Sequence, residues 1–205
     1  LVDIPAVMIG QADGNLIVAE IEADNEVTAV LEKSLLLTEP ETGNMMATFS
    51  ARGPGPVRDI VKPDVTAPGV NILAGFTPET ANSMPDETFA YLSGTSMSTP
   101  HVAGVAALLM QARPEWGPSV VKSALMTSAR QDLVQSDGES VANPFDYGAG
   151  HIVPNAALDP GLVYDVSDDE FDAFACGFDS PAVPEARCDE LENAGVSFAP
   201  EDLNQ

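Results

Sequence analysis

Ser96 is the residue whose surroundings could do chemistry. It lies in the run Gly94-Thr95-Ser96-Met97-Ser98-Thr99-Pro100-His101, immediately before a stretch of Val, Ala, Leu and Met. A serine hydroxyl is a weak nucleophile unless a base takes its proton and donors await the developing oxyanion. A serine in the first turn of a helix has unpaired backbone N–H groups and positive potential around it, and its own N–H could serve as an oxyanion donor. The small neighbours Gly94 and Ser98 would let a substrate backbone approach. The plainer alternative for Gly-Thr-Ser before a helix is a simple N-cap.

Few groups could serve as the base. His101 comes five residues after Ser96, about 140° round a helix and ~7.5 Å along it, so it does not easily reach the hydroxyl. His151 stands in a Gly-rich loop. Asp64 lies in Lys-Pro-Asp-Val-Thr-Ala-Pro-Gly, and Asn71 and Asn155 have no motif that would make them oxyanion donors. On that helix geometry His101 reads as a structural residue.

The elements around Ser96 can be read from patterning. Residues 95 to about 112 predict a helix that is apolar almost all round, and therefore buried. Pro100 is tolerable there only because it is near the helix start. Pro118 is placed as the first residue of a second helix running to about Ala129, with Val121, Ala124 and Leu125 on its apolar face. Val70–Phe76 predicts a buried strand, and Met46–Phe49 can form another. Residues 1 to about 40 read as β-rich: strands in IPAVMIG and VTAVLEKSLLL, with a turn at Asp13-Gly14 between them. Residues 77–90 read as a polar loop, and residues 166–205 as acidic and irregular.

Composition narrows the partners. The 205 residues contain 8 Lys and Arg against 32 Asp and Glu, a net charge of −24. A nucleic acid or an anionic membrane surface would require a basic footprint, which is missing. No apolar run approaches the ~20 residues of a membrane-spanning helix. No carboxylates stand at calcium-loop spacing, so neither a metal nor another cofactor is expected. Cys176 and Cys188 are the only cysteines. With no histidine nearby they cannot make a structural zinc site. They pair as a disulfide suited to an oxidising compartment, or else remain two unrelated thiols.

The longer run GTSMSTPHVAGVAALL resembles the serine motif of the subtilase family (peptidase S8), usually GTSMA[ST]PHVAG. Only Ser98 departs from it. It is not the G-x-S-x-G elbow of α/β-hydrolases, because Ser98 occupies the second glycine's place. The stretch FSARGPGPVRDIVKPDVTAPGVNILAGF is similar to the segment before the serine in members carrying a protease-associated (PA) insert. FDYGAGHIVPNAALDPGLVYDV is similar to the segment after the serine helices in plant-type members and their bacterial relatives.

The resemblance implies a three-layer α/β/α fold with a mostly parallel sheet, present here in part. Residues 1–40 would be a β-rich remnant of the PA insert, 41–165 the C-terminal half of the catalytic domain, and 166–205 an acidic tail leading to a fibronectin-III-like domain. It further implies a secreted serine endopeptidase acting on protein or peptide, with Ser96 as nucleophile and Gly94 and Thr95 against the substrate. The family's aspartate motif, Asp-[Ser/Thr]-Gly, is missing, and neither histidine is followed by Gly as in its His-Gly-Thr motif. The chain is therefore expected to be a fragment carrying the nucleophile without its base, inactive alone and completed by an upstream part. A non-catalytic module built on a subtilase remnant is the alternative, and an esterase a third.

Overall fold

The computed structural model describes residues 11–23, 28, 43–55, 60–77 and 88–199. The chain divides into two units, residues 1–40 and 41–205. In the first, the described element is a helix, α1 (Gln11–Glu22). The turn expected at Asp13-Gly14 is therefore corrected: both residues lie in the opening turns of α1, where Asp13 suits the positive end of the helix dipole. Gly14 costs about 1 kcal/mol in a helix, and the Leu, Ala and Glu after it offset that cost. The strands expected in IPAVMIG and VTAVLEKSLLL fall outside the described residues, apart from Thr28.

The second unit is organised by two helices, α2 (Thr95–Ala112) and α3 (Pro118–Thr127). Both start where their sequence signals put them. Pro118 opens α3 with a φ already suited to a helix and no N–H to leave unpaired. Val121 and Leu125 of α3 pack with Leu109 of α2, Ile152 and Ala157 in the main core, and Val65, Ala67 and Val102 flank it. Leu109 is 1% exposed, a burial that contributes about 1.5–3 kcal/mol.

The expectation of a fully buried α2 is corrected. Leu109 is its one buried residue, while Leu108 and Met110 are 62% and 48% exposed. A helix apolar all round needs neighbours on every side, and the described residues cover one side.

The sheet also differs from expectation. Strands β1 (Ile72–Gly75) and β2 (Phe89–Leu92) form an antiparallel pair in which Ile72 faces Leu92 and Gly75 faces Phe89. Residues 70–76 thus supply a strand as predicted, but a mostly exposed one rather than a buried one, and Phe89–Ala90 is strand where a loop was expected. Parallel pairing occurs only as the isolated bridges Met45–Val134 and Thr66–His151 among the described residues. Residues 46–49 make no strand: Met46 N–H bonds Val134 O at 2.8 Å, and the chain then turns at Thr48–Phe49, closed by Ser50 N–H to Ala47 O.

Two short helices, α4 (Pro144–Tyr147) and α5 (Pro154–Ala157), come after α3. The tail expected to be irregular holds α6 (Asp168–Cys176) and α7 (Glu185–Asn193). A capping box starts α6: Ser167 accepts from Glu170 N–H, and Glu170 accepts from Ser167 N–H. A Cys176–Cys188 disulfide joins the two helices over a small core of Ala173, Cys176 and Leu191. Arg187 of α7 reaches Asp169 and Asp172 of α6 and Glu190 of its own helix.

Candidate active site

Ser96 is the second residue of α2 and is exposed. The N-cap of α2 is Gly94, and no side chain caps the helix. The Ser96 hydroxyl is therefore not spent as a cap. The Gly94 carbonyl accepts the N–H groups of Met97 (3.0 Å) and Ser98 (3.4 Å). Ser96 N–H has no hydrogen-bond partner among the described residues. Pro100, four residues on, lacks the N–H that would bond the Ser96 carbonyl in a regular helix. A hydroxyl and an N–H that is unpaired among the described residues thus share one residue at the positive end of an 18-residue helix, where a developing oxyanion could find a donor.

Gly94 and Thr95 approach Ser96 from the N-terminal side. Gly94 is half-buried and Thr95 is exposed. An open cavity of about 910 Å³ lies against the Thr95, Ser98 and Val102 face of α2, with Phe49, Val65 and Val70 among its other lining residues. Ser96 is not in its lining, so the hydroxyl and the cavity occupy different faces of the helix.

The two histidines and Asp64 make contacts other than with Ser96 among the described residues. His101 Nδ1 lies 2.8 Å from the Met97 carbonyl of its own helix. His151 exchanges backbone hydrogen bonds with Arg130 (3.0 and 2.8 Å) and sets Nδ1 3.4 Å from Thr66 Oγ1. Burial, aided by the Arg130 charge, pushes the His151 pKa below its usual value. Asp64 is bound by Lys62 and by Lys122 of α3, at 2.7 and 3.0 Å. Burial opposes its ionisation, but the two lysines prevail and hold its carboxyl below the usual range. Asn71 takes the Ser93 Oγ on its backbone N–H at 2.8 Å, and Asn155 is an exposed residue of α5. None of these is brought to Ser96 by a described contact. Among the described residues, no group of three or more His, Cys, Asp or Glu is placed to hold a metal ion.

Residues 5–150 match the model of the Subtilase family, Peptidase_S8. The chain belongs to the subtilase family. Subtilisin-like protease SBT1.3 of Arabidopsis thaliana is 43% identical over 185 residues, which is 84% of this chain and 24% of that protein. Subtilisin-like protease SBT1.4 of the same plant is 42% identical over 197 residues, 88% of this chain and 25% of that protein. The chain thus spans about a quarter of the length of the curated relatives it matches. Among solved structures, the subtilisin-related keratinolytic enzyme fervidolysin of Fervidobacterium pennivorans aligns over 46% of this chain and 15% of its own, at 32% identity and a TM-score of 0.36.

Two features of this subtilase chain escaped sequence reasoning. One is the network around Asp146, a buried carboxylate bonded to Arg52, Gln135 and the Asn143 N–H. Burial works against its charge, but those three donors win and depress its pKa. The signal was Asn143-Pro144-Phe145-Asp146, a capping box with proline in the first turn. The other is the close approach of Gly69 to Gly94 and Ser98, for which the sequence carries no local signal.

Proposed function

We propose that this chain is the nucleophile-bearing part of a secreted serine endopeptidase that acts on protein or peptide substrates. Ser96 Oγ attacks the carbonyl carbon of the scissile bond. The hydroxyl proton passes to a histidine base and on to the leaving amine, and water then hydrolyses the acyl-enzyme. Ser96 N–H donates to the oxyanion, and Gly94 and Thr95 flank the substrate backbone. The observation that carries this reading is Ser96 itself: exposed, not used as a cap, and with an N–H unpaired among the described residues at the start of α2.

The base and the aspartate that orients it are supplied, in this proposal, by the part of the protease outside this chain, since both histidines here are held in structural bonds. Without them the chain alone is inactive; in subtilisin, losing the base costs about 10⁶ in turnover. The same reading takes the first unit as the end of a PA insert, residues 41–165 as part of a three-layer α/β/α domain, and the last residues as the approach to a fibronectin-III-like domain. The Cys176–Cys188 disulfide favours an extracellular setting.

The test uses the full-length protein and a fluorophosphonate probe. Labelling at Ser96, abolished together with peptide hydrolysis in Ser96→Ala, is the expected result. No labelling of the full-length protein overturns it in favour of a non-catalytic module, and labelling that survives Ser96→Ala overturns the assignment of Ser96 as the nucleophile. Hydrolysis of esters but not of peptides overturns the substrate class.

A further inference from the structure

Segment 62–69, Lys-Pro-Asp-Val-Thr-Ala-Pro-Gly, has no part in the chemistry above, yet its last residue touches the Ser96 turn. Gly94 N–H donates to the Gly69 carbonyl at 2.8 Å. A Cβ at Gly69 would collide with Ser98 Oγ and stand 2.9 Å from the Gly94 carbonyl oxygen. Gly69 does not have a left-handed φ, so the demand for glycine is one of space. That carbonyl oxygen is also the acceptor on which α2 begins, through Met97 and Ser98. Ser96 lies between the carbonyl and those donors in the chain, so a shift of the Gly94 carbonyl carries Ser96 with it.

The segment cannot easily back away from the helix. Asp64 O accepts from Ala149 N–H (2.8 Å), Thr66 N–H donates to Gly150 O (2.8 Å), and Ile152 N–H donates to Thr66 O (3.0 Å). Lys122 of α3 holds Asp64 from a second side. Gly148, at φ +68°, packs on the carbonyls of Pro63 and Asp64 so closely that a Cβ would strike both. Val65 and Ala67 press on the core beneath α2. Added bulk at position 69 is therefore transmitted to the first turn of α2.

We infer that Gly69 is a positioning residue for the Ser96 turn, acting through the Gly94 carbonyl and Ser98 Oγ to set where the hydroxyl and N–H of Ser96 point. This rests on Ser96 being the nucleophile. Displacing a reacting group by about 1 Å can cost 10²-fold in rate, so a collision of this size is felt in turnover before it is felt in substrate affinity.

The experiment compares labelling rate, kcat and KM in the full-length protein. Gly69→Ala is expected to slow Ser96 labelling and lower kcat by roughly 10- to 100-fold, the scale of such a misplacement, with KM changed far less. Adding Ser98→Ala removes one of the two collisions and should recover part of the loss in rate; a purely structural defect would instead lower the fraction of protein that labels and leave the rate of the folded fraction unchanged. Gly117→Ala, whose Cβ meets nothing within 4 Å, controls for a glycine-to-alanine change as such. Wild-type labelling in Gly69→Ala, or a loss that Ser98→Ala does not relieve, overturns the inference. Should Gly69→Ala not fold, Ser98→Thr probes the contact from its other side: slowed labelling supports the inference, and an unchanged rate overturns it. Wild-type protein that does not label at Ser96 overturns instead the reading of Ser96 as nucleophile.

Discussion

The Ser96 turn and the α6–α7 hairpin are stabilised in opposite ways. The turn is braced from a distance. Gly69 lies 25 positions before Gly94, and the backbone pairs that hold segment 62–69 join residues more than 80 apart. The hairpin is assembled locally. Its capping box, its disulfide, the Arg187 ion pairs and its Leu191 core lie within residues 167–198. A reactive serine held by remote contacts can be exposed and still well oriented. A hairpin built on its own bonds needs little from the rest of the chain.

Three changes would break or sharpen this contrast beyond the Ser96 and Gly69 variants. The largest is Leu109→Ala, which should cost about 2–5 kcal/mol. Denaturant unfolding of the full-length protein should register it, and hydrogen exchange should show α2 and α3 loosened together while α6 and α7 stay protected. Equal loss of protection in the hairpin would mean that the two regions share one core. Next comes Cys188→Ser. The disulfide closes a loop with a sequence separation of 12, and losing it should cost about 3 kcal/mol. Hydrogen exchange should rise in residues 168–193 and stay unchanged in α3. The smallest is Ser167→Ala, which removes the α6 cap for about 1 kcal/mol and should fray the first turn of α6 alone.

The same contrast separates the parts the sequence made legible from those it did not. Thr95–Ala112 and Pro118–Thr127 were readable because a long apolar run and a proline at the first helical position are local signals. The Ser96 motif was readable for the same reason. The hairpin helices were equally local, with Ser167 and Glu170 at capping-box spacing, but their acidity favoured an irregular reading. Residues 11–22 were misread because apolar runs of that length fit strand or helix, and Asp13-Gly14 imitated a turn.

Tertiary facts were of another kind. Pairing of Thr66 with His151, coverage of one side of α2 alone, and the collision awaiting any side chain at Gly69 arise between residues far apart in the chain. No period or spacing encodes them. That His101 bonds within its own helix and does not turn to Ser96 was legible in part, since helix geometry sets it about 140° away. The bonds that occupy His151 required coordinates.

The brace on segment 62–69 also carries a consequence for order in time. Its partners, Ala149, Gly150 and Ile152, come more than 50 positions after Ser96. During synthesis the serine therefore leaves the ribosome well before the strut that aligns it can dock, and pairings this remote are late events in folding. The hairpin, with partners at most about 30 residues apart, closes soon after its own residues emerge. The nascent chain thus displays its serine long before that serine is aimed, and aim is acquired only when the stretch around residue 150 arrives.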